Sequence, residues 1–249
     1  AVELASGISQ FGTSGNIDVR TANAGIAGES GSITLETGTT SIGTSGALSL
    51  TTGASSGGRG GDIQLSVGEG NLGDGGDVSI RAGKTQSPSG QGGNVQVLAG
   101  DGTNVEGGSG GHILLKAGAG LGGNNTGPGG HVELIAGNSN RGIGGAMTLQ
   151  GGMARTRTGG MVMVRSGPST MSTSGGISIQ TANSGAYGGS GAVLIATGTS
   201  SQGASGKIEL ITGEATNGAA GSIEMQVGTT DVGDGSDLTV IAGAASSLG

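Results

Sequence analysis

The chain has 249 residues, of which 62 are glycine and 3 proline, with one Phe, one Tyr, no Trp and no Cys. This composition excludes a conventional aromatic core, disulfide staples and thiolate metal sites. The formal net charge is -7, with ten Lys and Arg standing singly; there is no basic stripe to neutralise phosphates and no aromatic platform for bases, so nucleic-acid binding is not expected.

Glycine at this level without a period would point to disorder. Here there is a period. Residues 31–38 read Gly-Ser-Ile-Thr-Leu-Glu-Thr-Gly, and variants of the phrase recur at 46–53, 61–68, 76–83 and 221–228. The glycine that opens each phrase is an anchor: Gly15, Gly31, Gly46, Gly61, Gly76, Gly93, Gly111, Gly130, Gly145, Gly160, Gly175, Gly191, Gly206 and Gly221, with Ser236 in the last place. Spacings are mostly 15, with one of 16 in each half and a central group of 17, 18 and 19.

Two and four residues after every anchor stands an aliphatic or Met, from Ile17 and Val19 to Leu238 and Val240. Six after comes a small or β-branched residue such as Thr21, Val67 or Ala99, and seven after comes Gly or, at Ala22 and Ala182, Ala. Val2, Leu4, Ser6 and Gly7 repeat the phrase without its anchor.

Alternation with period two between glycines predicts a strand with one buried face, and the glycine density excludes helix. The connections are too short to hold a crossover helix. The expected fold is therefore all-β, a parallel β-solenoid of about sixteen coils of 15–19 residues. Each coil would rise about 4.8 Å on the last. The remaining half of each coil is glycine-punctuated and polar, and is expected to form a flatter second segment packed on the first. A glycine three before the anchor, at Gly12, Gly28, Gly43, Gly58, Gly73, Gly90, Gly108 and Gly127, is expected to need positive φ or close backbone approach.

A longer repeat overlies the short one. A shift of 160 residues aligns 1–89 with 161–249 without a gap, placing Ser14-Gly15 on Ser174-Gly175 and Gly73-Asp74-Gly75 on Gly233-Asp234-Gly235. The expected organisation is one continuous solenoid over 1–249, with a ten-coil unit at 1–160 and a partial second unit at 161–249. With no polar cap visible at either end, it is expected to be a window on a longer array. Apolar runs are only a few residues long, so no membrane-spanning helix is expected.

Few residues suggest chemistry. Outward strand positions are mixed, but Leu98, Leu114 and Ile135 fall on successive coils, and in a stacked solenoid they would form a lateral contact. His112 and His131 hold the same place, one after the anchor, and are expected to be paired surface imidazoles, since two ligands without a carboxylate or thiolate make a poor metal site. Residues 57–62, Gly-Gly-Arg-Gly-Gly-Asp, resemble the calcium-binding nonapeptide of β-roll toxins; Gln64 then stands where a large apolar residue belongs, and no aspartate ladder follows. Asn124-Asn125-Thr126 is an N-glycosylation sequon in the longest repeat, with Asn124 the acceptor. Charges are dispersed and loops too short to wall a cleft, so neither an enzyme nor a cofactor is expected.

Over its whole length the chain resembles the glycine-, serine- and threonine-rich tandem-repeat proteins among the large surface proteins of algae, diatoms and oomycetes. The resemblance lies in phrases of the style SGxIxLxTG, and it implies an extracellular or cell-surface location. The expected function is structural: a rod that builds a filament, fibre or surface matrix by end-to-end and lateral self-association, with other matrix proteins as further partners. The alternative is an ice-binding or adhesive solenoid face. Thr34, Thr51 and Thr148, however, do not form the regular file that ice binding needs.

Overall fold

The computed structural model describes residues 1–122 and 127–244. Two units are distinguished, Ala1–Val132 and Glu133–Gly249. Among the described residues there is no helix and no β-strand. This overturns the parallel β-solenoid, and with it the β-helix description of the repeats.

The physical reason lies in where each loop closes. Stacking in parallel requires the connection after one phrase to carry the chain back by a strand length, about 23 Å for seven residues, to lie beside the previous anchor. Instead, at seven of the anchors the N–H donates to the carbonyl of the glycine that ended the preceding phrase. In the first unit Gly15 bonds Gly7, Gly93 bonds Gly83, Gly111 bonds Gly100 and Gly130 bonds Gly118, at 2.9 to 3.2 Å. In the second, Gly145 bonds Gly137, Gly160 bonds Gly152 and Gly175 bonds Gly167, at 2.8 to 2.9 Å. The loop closes on itself, so each phrase begins where the last one ended. Among the described residues no backbone hydrogen bond joins the middle of one phrase to the middle of the next.

Each of these repeats is thus a seven-residue segment followed by a closed loop of the Ω type. The longer repeats keep the segment constant and place their extra residues in the loop, whose closing bonds span 83–93, 100–111 and 118–130. Loop closure costs little more at twelve residues than at eight, about 0.4 kcal/mol on the logarithmic law.

The closure also explains the small residue six after each anchor. Ser6, Thr21, Ala82, Ala99, Ala117, Ala136, Gly151 and Ser166 are the only half-buried positions among the described residues. Each lies beside the next anchor, and at Gly31, Gly93, Gly145 and Gly160 the approach is too close for a side chain to fit without displacement. A methyl group on Gly31 would meet Thr21 Cγ2 at 3.2 Å, and one on Gly160 would meet the Gly152 nitrogen at 2.8 Å.

Several loops one 160-residue step apart share features of their conformation. Gly43 and Gly203 have φ of 106° and 100°, and Gly73 and Gly233 have 76° and 89°. The Thr40 hydroxyl donates to the Ile42 carbonyl at 2.9 Å, as Ser200 does to Gln202 at 3.2 Å. The Gly12 N–H donates to Ser9 Oγ at 2.9 Å, as Ser172 N–H does to Ser169 Oγ at 2.9 Å. Of the glycines three before the anchor, Gly28, Gly43 and Gly73 have positive φ, and at Gly90, Gly108 and Gly127 an added methyl group would meet a neighbour at 2.7 to 3.2 Å, whereas Gly12 and Gly58 show neither constraint.

Candidate functional site

No side chain is fully buried among the described residues. The aliphatic pair of each segment consequently faces solvent. Two after the anchor, Ile17, Ile33 and Ile113 are 51 to 53% exposed; four after, Leu35, Leu115 and Leu149 are 68 to 69% exposed. The position two after the anchor lies nearer the loop closure and is the more shielded of the two.

The loop half does not supply a cover. The apolar residues just ahead of its glycine, Phe11, Ile42, Leu72, Met171, Tyr187 and Val232, are 84 to 105% exposed. Among the described residues the loop half does not pack on the segment as expected; its Ser and Thr hydroxyls bond the loop's own backbone instead.

Leu98 and Leu114 are 83% and 82% exposed in the first unit, and Ile135 is 74% exposed in the second. The adjacency expected of them depended on stacked coils, which these segments do not form. In the second unit Ile135 lines an open depression of about 290 Å³ with Leu134, Met147 and Leu149. Here the segment at 130–137 meets the one beginning at Gly145, so aliphatics of two successive repeats share one surface.

His112 and His131 are both exposed. Their expected proximity likewise rested on a coil rise that this arrangement lacks. Among the described residues no group of three or more His, Asp or Glu comes together to hold a metal. In the phrase that resembles the calcium nonapeptide, Arg59 Nη2 donates to both Asp62 carboxylate oxygens, at 2.5 and 2.6 Å. An arginine rather than a cation site engages that carboxylate. Asn124 lies outside the described residues. No helix among the described residues is long and apolar enough to cross a membrane.

The residues missed in the sequence are the hydroxyls six before the anchor. Ser9, Thr40, Ser139, Ser169, Ser200 and Thr230 each bond the loop backbone at 2.8 to 3.2 Å. Ser or Thr at a fixed distance before the anchor was the available signal, and its chemistry is that of short Ser/Thr turns. No protein-family model, curated protein or solved structure matches the chain.

Proposed function

We propose that the chain is a structural protein that self-associates, building a filament, fibre or matrix at the cell surface or outside the cell. The observation that carries this reading is the aliphatic pair presented by every repeat, 51 to 85% exposed after each anchor, with no cover from the described residues. Apolar side chains left uncovered at a regular interval favour association, and a partner with the same repeat offers matching side chains at the same spacing.

The accessible area supports it. The chain exposes 25271 Å², whereas a folded monomer of this mass exposes about 9,700 Å² and an unfolded one about 33,600 Å². Most of the area that would stabilise an ordered chain is still available for burial between chains. Covering the two aliphatics of one repeat contributes about 2 kcal/mol at 25 cal/mol per Å², which becomes large only when summed over many repeats. Lateral pairing along the length of the chain does that.

The test is sedimentation and electron imaging of the purified chain over a wide concentration range. Concentration-dependent growth into elongated particles is expected. Replacing the aliphatic pairs of three successive repeats by Ser should move the onset to higher concentration. A chain that stays monomeric at all concentrations refutes the reading.

A further inference from the structure

The ten basic residues stand singly, yet their distribution along the chain is uneven. Between residues 134 and 208 there are five Lys and Arg and no Asp or Glu; between 209 and 249 there are six Asp and Glu and no Lys or Arg. In a chain of net charge -7, a stretch of 75 residues without one acid is a block of the opposite sign. Both stretches belong to the second unit.

All of these charges are on the surface. Arg141, Arg155, Arg157 and Arg165 are exposed, as are Glu209, Glu214, Glu224, Asp231, Asp234 and Asp237. Among the described residues, ion pairs form between Asp18 and Arg20, between Arg59 and Asp62, and between Lys207 and Glu209. The last lies at the junction of the two blocks. The four arginines of the basic stretch make no ion pair with a described residue, because the loops close locally and bring no acid to them.

We infer that the chain self-associates out of register, with the basic stretch at 141–165 of one copy lying on the acidic stretch at 209–237 of another. This deepens the proposed function and rests on it: the aliphatic faces supply the attraction, and the charge blocks select the register. In-register parallel pairing would set arginine against arginine and carboxylate against carboxylate. Shifted pairing sets each block against its opposite. Exposed ion pairs are individually weak, and their main effect is on register and association rate, so selection is the role their magnitude allows.

The experiment measures assembly of the full chain by light scattering at low and high salt, for the wild type and two variants. One carries R141E, R155E, R157E and R165E; the other carries E209K, E224K, D231K and D237K. The onset concentration of the wild type is expected to rise on the order of tenfold from 50 to 500 mM sodium chloride, as screening shortens the reach of exposed charges. Each variant alone should assemble poorly, and an equimolar mixture of the two should recover assembly. If the wild type assembles but salt and both variants leave the onset unchanged, the charge pairing is refuted while apolar self-association stands. If both variants lose assembly and mixing restores nothing, reciprocal pairing is likewise refuted. If the arginine variant loses retention on a sulfated polysaccharide column while its self-assembly is unchanged, the basic stretch serves a polyanion and the inference falls. A wild-type chain that never assembles refutes the proposed function itself, and this inference with it.

Discussion

The demand for glycine differs sharply from one repeat position to another. The closing glycine Gly167 has nothing within 4 Å of a methyl group placed on it, whereas the anchor Gly160 has the Gly152 nitrogen at 2.8 Å. Gly160 also donates the hydrogen bond that closes its loop, at 2.8 Å to the Gly152 carbonyl. Gly160→Ala should therefore force the two strands of the loop neck apart and remove protection of the residue 160 amide in hydrogen exchange, while Gly167→Ala should leave that amide unaffected. At Gly43, with φ of 106°, the constraint is conformational. Gly43→Ala should cost about 1–2 kcal/mol in the loop, seen as faster exchange of the amides at 41–44, and the same change at Gly203 should act alike because the two loops share one conformation. Equal exchange in variant and parent would show that these glycines hold no closed loop. This glycine pattern was legible in the sequence, since a residue repeated at a fixed offset beside polar turn formers has a backbone reason. The hydroxyl at Thr40 or Ser200 was not singled out, because Ser and Thr are so abundant here that one further regular position did not stand out.

Among the elements, the segment and the loop respond differently to length. The loops closed at 83–93, 100–111 and 118–130 absorb all the extra residues of the long repeats, and the distance from anchor to closing glycine stays at seven. Deleting Pro88 and Ser89 shortens one loop by two residues, and self-assembly and the Gly93 amide's protection should be essentially unchanged. Deleting Ser79 alone shifts Ile80, Ala82 and Gly83 by one place relative to the anchor Gly76, so the small residue no longer meets the next anchor at Gly93. Loss of protection at Gly93 is expected there. If the loop deletion proved the more damaging, the division of labour between segment and loop would be wrong. Repeat boundaries were readable from the sequence for the same reason: the segment is under a fixed geometric constraint and the loop is not. The solenoid was an over-reading of that regularity. Period-two alternation at Ile33 and Leu35 says that a segment has two unlike faces, but it does not say whether the next segment of the same chain covers one of them. The decisive quantity was the point at which the loop closes, and no residue pattern encodes whether an anchor meets the preceding anchor or the preceding closing glycine.

For the whole molecule the governing fact is the area left uncovered. The exposed 25271 Å² is about three-quarters of the area of an unfolded chain of this mass. Ordering one backbone residue costs on the order of 1 kcal/mol. A closing hydrogen bond per repeat, worth about 1 kcal/mol net, cannot offset the ordering of fifteen residues. Local closure thus shapes the repeat, and on the proposed self-association lasting order comes from burial against another chain. This fixes how stability must depend on concentration. An assembly that holds ordered chains and leaves disordered ones in solution is stabilised by mass action, so its apparent melting temperature rises with protein concentration. Heating the chain below its assembly threshold should show no cooperative transition by circular dichroism or calorimetry. Above the threshold a transition should appear, its midpoint climbing with each tenfold increase in concentration and falling in the variants whose aliphatic pairs are replaced by Ser. A sharp transition with the same midpoint at every concentration would mean that a single chain buries its own aliphatic faces, contrary to the exposure of Ile17, Leu35 and their counterparts. If the chain self-associates as proposed, the order of the molecule is a property of the array, since the residues that would form a core in a globular domain are left exposed among the described residues.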